Sequence, residues 1–262
     1  MDQGFLLHPE VVTSAKKFVC IRLTSYENEA EKQFVARMSG REPANTSFAI
    51  LNPEGNEYAL RGRGPGRGPR DLFPDAPAMA KGMDALAAKY PLKEATGKPS
   101  LPVTLNVKVG LAVAAADLLP LVLVLAPHAK RQDEIEAKVA EQAWATDFAG
   151  RFTFASTIDP KELAKLTGNT VKEGVLIIEP DIFGATGKVV GEVPGNQLAK
   201  LSDAFKTALK SHVKLNKTRR DLANRGLKEG IYYETGIEVS GRGEATDRAR
   251  YKQMLDFYKK KD

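Results

Sequence analysis

Few residues in this chain have the type and spacing that chemistry requires. Cys20 is the single cysteine, so no intramolecular disulfide, Cys-x-x-Cys redox pair or cysteine-rich metal site can be built. It lies between Val19 and Ile21 in an apolar run. That setting predicts a buried thiol acting as a small hydrophobe, because nucleophilic cysteines occupy exposed, electropositive helix starts. His8, His128 and His212 have no metal-ligand spacing, and no Gly-x-Ser-x-Gly elbow is present. The glycines at 62–68 match neither a phosphate-binding loop nor a dinucleotide turn. No cofactor and no metal are expected, and no catalytic residue can be named.

Basic groups offer binding rather than catalysis. His128, Lys130 and Arg131 cluster at the predicted start of a helix, where free N–H groups and the dipole favour a phosphate or carboxylate. Asp133, Glu134 and Glu136 follow at once, so a solvated basic helix end is the competing reading. Arg61, Arg63, Arg67 and Arg70 stand among glycines and prolines, either as a plain loop or as a loop for RNA or another polyanion. Interleaved aromatics, which would strengthen the RNA reading, are absent there. Near the C-terminus, Tyr251, Met254, Leu255 and Tyr258 form one apolar stripe at helical spacing, for the chain's own body or for a partner's groove.

The charge distribution limits these readings. Of 262 residues, 39 are Lys or Arg and 33 are Asp or Glu, a net +6. Residues 214–262 hold 13 of the basic and 8 of the acidic groups, so the tail carries 13−8=+5 and the body 26−25=+1. A nearly neutral body argues against a nucleic-acid-binding core. Residues 109–126 approach the length of a membrane span, but Asp117 and Pro120 interrupt them, and a helix followed by a strand is expected instead. The first residues lack a basic n-region, which makes the cytoplasm the default compartment, or the periplasm if a leader has been removed.

Periodicity and breakers predict the elements that must position these groups. In the first third they are a buried strand at 18–25, a helix at 28–38, a hairpin of 46–51 with 57–60, and a helix at 77–90. Further on they are an apolar strand at 121–125, a helix at 132–149, a strand at 152–155 and a short helix at 160–167. A hairpin of 174–179 with 188–193 and a closing helix at 197–213 complete the series. FAILNPEGNEYALRG and LIIEPDIFGATGKVVGE match element for element, so one α/β unit is expected twice. Residues 103–109 alternate well enough to fill a gap in the first sheet or to open the second unit.

A strand–helix–strand–helix–strand–strand–helix unit, parallel in its first half and closed by an antiparallel hairpin, resembles the thioredoxin-like fold. The phrases LVLVLAP before His128-Ala129-Lys130-Arg131, GVLIIEPDIFGATGKVVGEVPG, and HPEVVTSAKKFVCIRL resemble that family too, the last in its bacterial form. The resemblance implies an α/β protein of two tandem thioredoxin-like domains, 1–92 and 103–213. A linker at 93–102 joins them, a basic extension at 214–262 follows, and the first domain lacks its first strand. No sulfur stands at 128–131, Lys172-Glu173-Gly174 replaces the family's cis-proline, and Pro43, followed by Ala44-Asn45-Thr46, is a candidate for one in the first domain. Such scaffolds imply a redox-inactive module that binds a protein or peptide. The alternative is an oxidoreductase-related enzyme using Cys20 or a cysteine upstream of residue 1.

Overall fold

The computed structural model describes residues 5–6, 8–40, 47–60, 68–90 and 100–213, with 225, 226, 229, 231, 252, 253 and 256. The chain divides into two compact units, the first of Met1–Ala95 with Glu234–Gln253 and the second of Thr96–Tyr233 with Met254–Asp262. The expected residues Arg61, Arg63, Arg67, Tyr251, Met254, Leu255 and Tyr258, and Pro43, lie outside the described residues.

The second unit is α/β, with a six-stranded mixed sheet. In chain order it runs β1 (Val103–Thr104), α4 (Val107–Asp117), β2 (Leu121–Leu125), α5 (Ala129–Ala143), β3 (Thr153–Thr157), β4 (Leu166–Thr167), β5 (Gly174–Pro180), β6 (Gly187–Pro194) and α6 (Leu201–Ser211). A 3-10 segment, Pro160–Lys165, precedes β4, in place of the short helix expected at 160–167. The sheet order is β1-β3-β2-β5-β6-β4. β1, β3 and β2 are parallel, and β5 and β6 form an antiparallel hairpin joined to β2.

An uninterrupted Leu-Val-Leu-Val-Leu run has no polar face, and the fold buries both sides of it. Val122 and Val124 pack with Ile135 and Val139 of α5 and Leu201 and Phe205 of α6. Leu121, Leu123 and Leu125 pack with Val107 and Leu111 of α4 on the other side. Asp117 ends α4 and Pro120 directly precedes β2, so the apolar stretch of 109–126 is a helix and a strand. No helix among the described residues is long and apolar enough to cross a membrane.

The ends of this unit are tied by polar groups. Asp181 organises the β5–β6 turn: its carboxylate accepts from the backbone N–H of Phe183, Ala185 and Thr186 and from the Thr186 hydroxyl. Gly184 in that turn has φ +69°, and a Cβ there would lie 2.6 Å from the Ala112 Cα, so only glycine lets the turn rest on α4. At the end of α6, the buried His212 ring donates from Nε2 to the Leu118 carbonyl at 2.9 Å and places Nδ1 2.9 Å from Glu179 Oε2. Leu118, with φ 56°, is the left-handed cap of α4.

The first unit differs from expectation. It holds α1 (Pro9–Ala15), α2 (Glu29–Ser39), a 3-10 turn at Pro69–Asp71 and α3 (Ala76–Ala87). α1 and α3 pack around Val11, Phe73, Met79, Met83 and Leu86. The strand expected at 18–25 is not formed: Val19 is 80% exposed and Ile21 73% exposed. The expected hairpin is reduced to one bridge, Leu51 with Tyr58. Alternation of apolar residues suits a strand only where a neighbour accepts its backbone bonds, and among the described residues of this unit no ladder is available.

Burial raises the Asp181 pKa, but the four hydrogen bonds outweigh it and leave the carboxyl below the usual aspartate range. Its contribution is therefore present above the unfolded value, about pH 3.9, and is lost as pH falls through the lower folded value. Asp181→Ala is expected to cost about 1 kcal/mol at neutral pH. In denaturant melts across pH, the variant and the parent should converge in acid.

Candidate functional site

The register of the sheet brings four loops to one pole. Leu125, the last residue of β2, is paired with Thr157 on one side and Gly174 on the other, and Gly174 is paired with Pro194. The segments following Leu125 and Thr157, preceding Gly174 and following Pro194 thus meet where α5 begins. His128 is the N-cap of α5, and its Nδ1 accepts from the Arg131 backbone N–H at 3.2 Å. A side chain that could have faced a ligand is thereby engaged in capping the start of the helix.

Arg131 closes the pole. Its Nε donates to Glu173 Oε1 at 2.7 Å, one terminal nitrogen to Glu134 at 2.8 Å, and the other to the Gly195 carbonyl at 3.0 Å. The bonds to Glu134 first, and to Glu173 second, push the guanidinium pKa up, and Arg131 in turn holds Glu134 below the usual range. The planar fork suits this three-way attachment, which ties α5 to the start of β5 and the end of β6. Two glycines are required beside it, Gly174 by the β5–β6 pairing and Gly195 by the Arg131–Glu173 pair. Gly174 has φ +140°, and a Cβ there would lie 2.2 Å from the Val193 carbonyl oxygen. At Gly195 a Cβ would lie 2.3 Å from Glu173 Oε1.

The structure therefore separates the expected trio. Arg131 spends its donors on the protein, His128 caps the helix, and Lys130 is exposed. Glu173, Gly174 and Gly195 carry no spacing signal toward Arg131, since Glu173 lies 42 residues away. Their partnership arises from strand register alone. Among the described residues, no group of three His, Cys, Asp or Glu side chains could hold a metal ion.

The other expected site residues lie in the first unit. Arg70 belongs to the 3-10 turn at Pro69–Asp71, with its guanidinium 5.7 Å from the Phe5 ring centre. Cys20 corrects the expectation of a buried thiol: it is exposed, because the buried strand that was to contain it does not form. Its Sγ turns toward the Ala15 carbonyl at 3.8 Å, and the surrounding protein raises the thiol pKa by desolvation. An exposed thiol with a raised pKa lacks the stabilised thiolate that a nucleophile needs.

Comparison with protein-family models, with curated proteins and with solved structures returns no match.

Two outcomes test this geometry. Gly174→Ala should destabilise the fold by about 1–3 kcal/mol in a denaturant titration, from the φ strain and the clash with Val193. Alkylation of Cys20 by iodoacetamide should rise with pH to a midpoint above the ordinary thiol value of about 8.5. Full reactivity at neutral pH would contradict the environment described.

Proposed function

We propose that residues 103–213 form a thioredoxin-like domain without redox chemistry, and that the chain acts as a protein- or peptide-binding module. The observation that carries this reading is the pole at the end of β2. In thioredoxin-like proteins the corresponding turn holds a dithiol, and here an arginine bonded to Glu173 and the Gly195 carbonyl stands there with no sulfur. The order of elements supports it as well: parallel β1, β3 and β2 interleaved with α4 and α5, then the β5–β6 hairpin and α6. The proposal is confined to this unit, because the described residues of the first unit contain no strand ladder.

Peptide binding draws support from the surface of the same pole. Ile158, directly after β3, is 47% exposed beside the turn that carries His128. An exposed apolar side chain beside a loop is an anchor that peptide recognition can use, a side-chain contact giving selectivity. The oxidoreductase reading draws no support from Cys20, whose thiol pKa is raised.

Peptides selected from a random library on the full chain test this. Binding of the selected peptides should weaken about tenfold on Ile158→Asp, equivalent to ~1.4 kcal/mol, and stay unchanged on Lys138→Gln. Insulin disulfide reduction should remain at the level of free dithiol. Turnover above that level, or binding indifferent to Ile158→Asp, would refute the reading.

A further inference from the structure

A second feature lies at the opposite end of the same sheet. Thr153 at the start of β3 is paired with Leu121 at the start of β2, away from the His128 turn. There the α5–β3 connection and α6 flank an open depression of about 240 Å³, lined by Asp147, Phe148, Arg151, Lys206, Leu209 and Lys210. Phe148 is buried and stacks edge-on against Phe205 with ring centres 5.4 Å apart, so the apolar floor is fixed by the core. Leu209 packs against the same core.

The charges around this floor are unbalanced. Lys206 and Lys210 are one turn apart on α6, which sets two like charges side by side at a small cost to the helix. Arg151 is the third cation, and its terminal nitrogen donates to the Asp147 carbonyl. None of the three is ion-paired among the described residues, as is true also of Lys161 and Lys188 of this unit, and what distinguishes the three is that they line one depression. Asp147 is the one carboxylate lining the depression. Three cations against one anion leave a local excess of two positive charges over an apolar floor.

We propose that this depression is a binding site for a compact organic dianion, such as a phosphate monoester or a dicarboxylate, with a single ring or short aliphatic body. The dianion neutralises the excess charge through Arg151, Lys206 and Lys210, and the body lies against Leu209 above the buried Phe148. The depression is smaller than the ~300–1,000 Å³ usual for drug-sized ligands, so a compact body suffices to fill it. The site is separate from the pole read above as a peptide surface and does not depend on that reading.

Phenyl phosphate, phenylmalonate and inorganic phosphate, titrated at low salt into the isotopically labelled full chain, test the proposal by NMR. Saturable shifts confined to 147–151 and 206–210, with either phenyl compound bound about tenfold more tightly than inorganic phosphate, support it. Lys206→Gln/Lys210→Gln should weaken binding at least tenfold, Arg151→Gln should also weaken it, and Lys138→Gln should leave it unchanged. These substitutions are on exposed positions, and the unshifted remainder of the spectrum reports that the variants are folded. Absence of saturation, equal affinity for inorganic phosphate, or binding indifferent to the three cations would overturn it.

Discussion

The strand Leu121–Leu125 is the constraint on which the second unit rests. Its five residues are 0–4% exposed, so it must have a strand on each edge and helices on both faces. β3 and β5 satisfy the edges, and α4 on one face with α5 and α6 on the other satisfy the side chains. Everything at the pole follows from this placement. A strand locked on four sides delivers its next residues to one position, and α5 must start there.

At that position the chain places hydrogen-bonding groups that stabilise structure. His128 caps the start of the helix and Arg131 holds three acceptors, two carboxylates and one carbonyl, beside Gly195, whose missing side chain admits Glu173. A nucleophile at a helix start works by leaving the first N–H groups and the dipole free to stabilise its anion. Here the groups that could have assisted one are committed to the protein. The polar ties at the other end, through Asp181 and through His212 between Leu118 and Glu179, fix the β5–β6 turn and the end of α6 in the same manner.

How much of this was legible in the sequence depends on where each residue's partners lie. The apolar run at 121–125, the breaks at Asp117 and Pro120, and the hairpin of 174–179 with 188–193 are local signals, and the structure has these elements within a residue or two. Residues 18–25 alternate as a strand does, yet no strand ladder forms there and Cys20 is exposed. Alternation states which faces differ and not whether a neighbouring strand exists. The Arg131 partners were illegible for a related reason: Glu173 and Gly195 meet Arg131 through the register of β2, β5 and β6, and no spacing rule encodes that. The depression at Phe148 joins a loop to the far end of α6, so its three cations are likewise scattered along the chain.

Amide hydrogen exchange on the full chain tests the central claim most directly, namely that a locked apolar strand organises the second unit while residues 19–23 stand outside any sheet. Amides of Leu121–Leu125 and of Val175, Leu176 and Ile177 should be among the slowest in the chain, exchanging only through global unfolding. Those of Val19, Cys20 and Ile21 should exchange at nearly the rate of an unfolded peptide. Strong protection at 19–21, or rapid exchange along 121–125, would contradict the account.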